Sequence, residues 1–357
     1  MKIKRENDFI SVFDEQTGMY IRSGIMKEGK DTGKNPFMAS FPELLDVGIM
    51  GHCLHGETGL CLKAGVECYQ DGLHSQKSNM TLKDFTYIVN QCKNRTFQFA
   101  LGGCGDPDQH ENFPEIVRIC REAGIVPNFT TSGFGMTDKI AQLCKEYCGA
   151  VAVSWYRSTY TDRAIHMLLE AGVKTNIHYV VSKSTVEEAL KRLKSDVNGS
   201  GNGFPKGINA VVFLLHKPVG LGTTEEVIAQ DNETFQEFIH YINENVFPYK
   251  IGFDSCTVPA LIHMNKIDLN SLDTCEGGRW SAYITPDLKL LPCSFDNQSQ
   301  KWSVDLKYKS IEEAWNSEVF DRFRSHFIES CPECERRESC MGGCPIVPEI
   351  VLCKERL

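Results

Sequence analysis

Between residues 44 and 246, compact apolar runs alternate with helical patterns, and this alternation restricts the fold more than any other feature of the chain. The runs are LLDVGIM (44–50), TFQFALGG (96–103), IVPNFTTSG (125–133), AVAVSW (150–155), VKTNIHYVV (173–181) and INAVVFLLH (208–216). Each is short enough for a buried strand and is followed by apolar residues at helical spacing. TLKDFTYIVNQC (81–92) opens on a Thr cap, and NFPEIVRICREAG (112–124) runs from Asn112 as cap to Gly124 as stop. Six strand–helix units in succession predict an α/β fold with a parallel sheet and helices outside it. Right-handed crossovers curl such a sheet into a partial (β/α)6 barrel, which six strands leave open on one side.

In this architecture chemistry lies at the C-terminal ends of the strands. The unusual residues fall there: Cys53 to Cys68 after the first strand, GCGDP after the second, TTSG after the third, SWYR after the fourth and LHKPVG after the sixth. Upstream, ISVFDEQTGMYIRSGI (10–25) reads as two short strands about a glycine-containing turn. Past residue 250 the elements shorten and cysteines crowd. The expected organisation is a preamble over 1–45, the barrel over 46–250 and a cysteine-rich unit over 251–357.

No run of 18 apolar residues appears, so no membrane span is expected. The opening MKIKRENDF lacks an apolar stretch behind its charges, which argues against a secretory signal and for the cytoplasm. Thiols stay reduced there, so 16 cysteines point to metal or redox chemistry rather than disulfides. The net charge of −9, with no basic stripe, argues against nucleic acid.

Cys92, Cys120, Cys144 and Cys148 read as small buried hydrophobes, and Cys104 lies in a glycine-rich loop that fits either role. The other eleven cluster. Cys331, Cys334, Cys340 and Cys344 have the spacing C-x2-C-x5-C-x3-C, with Cys275 and Cys293 before them and Cys353 after. Such sets bind zinc or iron–sulfur clusters, and seven ligands suit two sites better than one. Near the front stand Cys53, Cys61 and Cys68, spaced C-x7-C-x6-C; a zinc site of His52, Cys53, His55 and Cys61 is the competing reading.

The C-terminal pattern resembles the SPASM domain of radical S-adenosylmethionine (SAM) enzymes. Cys275 is followed by twelve residues, Leu288, four residues and Cys293, then by the quartet and Cys353; Leu288 stands where the family has Gly. The resemblance implies a partial TIM-type barrel followed by a small SPASM domain with two auxiliary 4Fe–4S clusters. Cys331, Cys334, Cys340 and Cys353 would hold one. Cys275, Cys293 and Cys344 would hold the other, with Cys256 as candidate fourth ligand against an open iron. The family's front motif is C-x3-C-x2-C with an aromatic residue near its end. Here the loop is longer, with room for a helical turn at LCLKAG, and Tyr69 follows Cys68. By resemblance Cys53, Cys61 and Cys68 would hold a third 4Fe–4S cluster, leaving one iron for SAM.

FALGGCGDP resembles the family's GGEP loop, which binds the SAM ammonium. Gly105, Asp106 and Pro107 fall on its last three positions and Cys104 replaces a glycine next to Gly103. Ser154 matches a serine that reaches SAM. Arg157 is a candidate partner for the SAM carboxylate, against a merely solvated arginine. Thr130 and Thr131 are expected near the ribose. His178 and His216 read as satisfied core or rim histidines.

The implied reaction is reductive cleavage of SAM to a 5′-deoxyadenosyl radical that takes hydrogen from a peptide or protein, with flavodoxin or ferredoxin as electron donor. Maturation of a ribosomally made peptide through a thioether or carbon–carbon crosslink is the favoured outcome. Oxidation of a protein residue, as in sulfatase maturation, is less favoured, because Ser294 stands where those relatives carry an aspartate base and Asp296 comes two later. A radical enzyme acting on a small molecule and a non-enzymatic metal scaffold are the other readings. Residues 1–45 are too short for a separate leader-peptide domain.

Overall fold

The computed structural model describes residues 1–264, 266, 272–331 and 333–353. The N-terminal segment forms a three-stranded antiparallel sheet of β1 (Lys2–Arg5), β2 (Ile10–Phe13) and β3 (Tyr20–Arg22), one strand more than the two expected. A small hairpin of β4 (Met26–Lys27) and β5 (Lys30–Asp31) follows.

The six apolar runs become the parallel strands β6 (Leu44–Met50), β7 (Gln98–Gly103), β8 (Val126–Thr131), β9 (Val151–Ser154), β10 (Thr175–Val181) and β11 (Ala210–Leu215). Between β6 and β7 lie α1 (Leu54–Thr58), α2 (Leu60–Lys63) and α3 (Leu82–Cys92). The later crossovers carry α4 (Phe113–Glu122), α5 (Asp138–Tyr147), α6 (Thr159–Glu170), α7 (Val186–Asn198) and α8 (Glu233–Glu244). Side chains of Thr81, Thr137, Ser158 and Asn232 accept amides of the first turns of α3, α5, α6 and α8, as N-caps should. Asn112 makes no such bond; α4 starts instead with Pro114 in its first turn, where a missing N–H costs nothing.

Sequence periodicity predicts six strands, and the sheet has two further parallel ones. β12 (Lys250–Phe253) pairs with β11, and β13 (Ser281–Ile284) pairs with β6 on the opposite edge. The antiparallel strands β14 (Lys289–Leu291) and β15 (Val304–Asp305) continue outward, so the order is β12-β11-β10-β9-β8-β7-β6-β13-β14-β15. Strand alternation sorts the faces. Leu45, Val47 and Ile49 of β6 are fully buried beneath the helices, each worth about 1.5–3 kcal/mol of burial. Cys92, Cys120 and Cys144 are buried in the same layer, and Cys148 is half-buried at the end of α5.

Leu288, between β13 and β14, has φ +67°, the conformation for which glycine is the natural residue. The turn therefore persists with a leucine in it. The side chain is buried in the core, and its N–H still reaches Thr285 O at 3.0 Å.

Candidate functional site

The loop after β6 folds as two short helices. Cys53 is the N-cap of α1, where its Sγ accepts the Gly56 N–H at 3.1 Å; α2 is the helical turn expected at LCLKAG and carries the buried Cys61. Cys68 follows in the irregular stretch after α2, with its Sγ accepting the Gly72 amide at 3.4 Å. Burial raises the Cys53 thiol to about 12, and Asp106, Cys68 and Cys104 push the same way. Cys68 is raised by burial and by the nearby Cys61 and Asp71. Cys53 and Cys68 thus flank one point of the loop, Cys61 acts on Cys68, and Cys104 lies beside Cys53 and donates toward Gln70 O at 3.5 Å. Thiols that would repel one another as thiolates suit a cationic centre.

Two glycines keep this loop against the one after β7. A Cβ on Gly105 would lie 2.5 Å from His52 O. A Cβ on Gly72 would lie 3.2 Å from Cys53 Cβ and 3.4 Å from Cys68 Sγ, wedged between the two cysteines. Gly103 has φ +113°, and a Cβ there would meet Met50 O at 2.3 Å. Asp106 is fixed by Ser132, which donates both its N–H, at 2.7 Å, and its hydroxyl. Burial, with Asp108 beside it, raises the Asp106 carboxyl to about 7.

Thr130 Oγ1 and His178 Nδ1 are 3.2 Å apart on the inner wall, and Ser154 stands opposite His178 in the sheet register. Burial holds His178 down to about 4, so the imidazole is neutral. His216 is a rim residue bonded to Thr223 O at 2.9 Å. Arg157 departs from expectation. Its backbone is left-handed, φ +54°, and its guanidinium is ion-paired with Glu188 of α7 and donates to Tyr179 Oη at 3.1 Å. Those partners leave it a structural clamp on the helix rather than a ligand for a carboxylate.

In the C-terminal region, Cys331, Cys334, Cys340 and Cys353 line one small pocket. Cys340 is raised by burial and by the other three. Cys256, Cys275, Cys293 and Cys344 form a second group. Burial raises Cys275 to about 12, aided by Cys344, and lifts Cys293 with Cys275 and Cys344 beside it. Cys256 is raised by burial and by Cys275 and Cys344. Among the described residues no three His, Cys, Asp or Glu side chains converge tightly enough for one metal ion.

Sequence reasoning missed two features. Lys217 is buried after β11, ion-paired with Asp254 after β12 and 4.7 Å from the Phe295 ring centre, and its ammonium acts on Cys256 and Cys344. His55 of α1 is buried and stacked on Phe134 at 4.9 Å, with Tyr160 edge-on at 5.1 Å. Only the position of Lys217 in a strand-end loop signals the first; α1, α6 and the loop carrying Phe134 build the second. Asp296 accepts Trp302 N at 2.9 Å and Lys301 N at 3.2 Å, and so serves to hold its own loop.

Residues 275–341 match the SPASM family, an iron–sulfur cluster-binding domain, and the chain carries that domain. Its fold is shared with SuiB of Streptococcus suis. Bound to the precursor peptide SuiA, SuiB is 16% identical over 89% of this chain and 77% of that one, with a TM-score of 0.66. Bound to S-adenosylmethionine, it gives 16%, 89%, 78% and 0.64. The protein anSMEcpe, with bound AdoMet and a Cp18Cys peptide, is 16% identical over 84% of this chain and 89% of that one, with a TM-score of 0.56. The likeness is one of fold: a partial barrel of parallel strands followed by a SPASM domain.

Proposed function

We propose that this chain, with its SPASM domain built onto the fold of SuiB and anSMEcpe, is a radical SAM enzyme that modifies a peptide. The observation that supports the reading is the meeting of Cys53 and Cys68 with the Gly103–Asp106 loop at the C-terminal ends of β6 and β7, with Cys61 acting on Cys68. Cys53, Cys61 and Cys68 would hold the SAM-binding 4Fe–4S cluster. Cys331, Cys334, Cys340 and Cys353 would hold one auxiliary cluster, and Cys256, Cys275, Cys293 and Cys344 the other. When bound, SAM and its cluster supply a 5′-deoxyadenosyl radical that removes a hydrogen atom from substrate.

The chain's own residues do the positioning. Gly103 and Gly105 let the backbone come close to a ligand. Asp106, clamped by Ser132, orients the loop that would hold the SAM ammonium. Thr130 and Ser154 would line the wall beside the ribose of bound SAM, and His178 presents a neutral imidazole to the same wall. The favoured outcome is a thioether or carbon–carbon crosslink in a ribosomally made peptide, with a flavodoxin or ferredoxin as electron donor. The peptides in SuiB and anSMEcpe support a peptide substrate. Asp296, tied into its own loop, disfavours a sulfatase-maturase base at that position.

The test is anaerobic reconstitution with iron and sulfide, then dithionite and SAM. Formation of 5′-deoxyadenosine, and a mass change on a co-expressed candidate peptide, are the expected results. A reconstituted protein that binds iron yet leaves SAM intact would refute the reading.

A further inference from the structure

The parallel strands enclose a cavity of about 400 Å3 that opens at their N-terminal ends. Its upper wall includes Thr130 and His178, and its mouth includes Lys174, Lys250 and the β2–β3 turn at Glu15 and Thr17. Between them the wall is built of amides. Gln98 Oε1 accepts from Asn128 Nδ2 at 3.0 Å, Asn128 Oδ1 accepts Ala150 N at 2.8 Å, and Asn176 Oδ1 accepts from Asn209 Nδ2 at 2.7 Å. The acceptor ends of Gln98, Asn128 and Asn176 are thereby engaged with the wall. The NH2 groups of Gln98 and Asn176 remain as donors beside the Asn209 Oδ1 acceptor, so the lining offers a guest more donors than acceptors.

The mouth is cationic. Lys174 Nζ donates to Gln16 O at 2.8 Å, and burial together with the neighbouring Lys250 lowers its pKa. Two ammonium groups that disfavour each other are relieved by an anion. Asp14 offsets part of this on Lys174, but the acids nearby are engaged elsewhere and, among the described residues, form no ion pair with either lysine. Glu15 is held by Lys2 at 2.8 Å and Arg121 at 3.3 Å, and Asp14 accepts from Thr17 and Gln16.

We propose that the lower lumen is a carboxylate-binding channel, in which Lys174 and Lys250 hold a carboxylate of the peptide while the reacting residue sits at the upper end beside Thr130 and His178. The inference rests on the peptide-modifying reading above and sharpens it to a substrate class. Lys174 and His178 are four residues apart on the β10 strand and its approach, about 13 Å at roughly 3.3 Å per residue. A free amino acid is too short to span that distance. A peptide whose C-terminal carboxylate, or whose Asp or Glu side chain, lies three to four residues from the reacting one spans it.

Three pools of synthetic hexapeptides test this against the cluster-loaded full chain by equilibrium dialysis and mass spectrometry, without reductant. One pool ends in a free carboxylate, one in a carboxamide, and one in a carboxamide with an internal Glu. Expected is about tenfold stronger retention of one or both carboxylate pools than of the neutral pool, and which pool is retained tells terminus from side chain. The Lys174→Gln/Lys250→Gln variant, and Lys250→Gln alone at this exposed position, should lose most of the preference at unchanged iron content. Lys145→Gln, whose ammonium instead holds Gly172 O at 2.7 Å, should keep it. Equal retention of all pools, or a preference that survives the double variant, overturns the channel. Failure of the radical reading would appear separately, as absent 5′-deoxyadenosine.

Discussion

The Sγ of Cys53 accepts the backbone N–H of Gly56 at 3.1 Å, so the same thiol caps α1 and opens the front cysteine set. The two roles separate in Cys53→Ser. Serine is among the best N-caps, so the helix start should survive at a cost below about 1 kcal/mol. If the front set holds one of the three 4Fe–4S clusters proposed above, that cluster should be lost and iron should fall by about a third. Iron analysis and urea denaturation measure both. Full iron content in the variant would remove Cys53 from the ligand set.

Leu288 sets two effects against each other. Its left-handed backbone costs about 1–2 kcal/mol relative to glycine, while its buried side chain contributes about 2–4 kcal/mol. Leu288→Ala should lose the burial and keep the strain. Leu288→Gly should lose the burial and shed the strain, so it should be at least as stable as the alanine variant despite glycine's extra freedom when unfolded. Urea midpoints decide; an alanine variant clearly more stable than the glycine one would mean the strain is not there.

Burial holds His178 near 4, against about 6.5 in an unfolded chain. Between those values the unfolded chain binds more protons, so stability is complete above about pH 6.5 and is lost as pH falls toward 4. The contribution is on the order of 1–3 kcal/mol. His178→Gln should therefore lose less stability than the parent between pH 7.5 and pH 5, by urea denaturation at both. Identical losses would assign the acid sensitivity to other groups.

The strands β6 to β11 are legible in the sequence because each is an apolar run closed by a turn or a capped helix. KIGF and SAYI, the cores of β12 and β13, are four residues each and show no periodicity, so only their partners reveal them. Cysteine spacing marks the three thiol groups. The arrival of Cys104 beside Cys53 is a tertiary fact, created where Gly72 and Gly105 let two loops touch. Arg157 misleads because its distance from Ser154 says nothing of a left-handed turn toward Glu188. Lys217 and Asp254 lie 37 residues apart and meet only once β11 and β12 pair.

The pairing of β13 with β6 reaches beyond strand count. Just past Met50 hangs the loop that carries Cys53, and just past Leu291, one strand farther out, stands Cys293. The two thiol groups are therefore suspended from the same woven sheet, with no hinge in between. A slip of one residue in that weave would turn every side chain of β13 to the wrong face, which forbids gradual drift. If both groups hold the clusters proposed above, electron exchange between them would cross a gap set by this one sheet. A chain cut at residue 250 would leave β6 as a bare apolar margin, open to the next molecule.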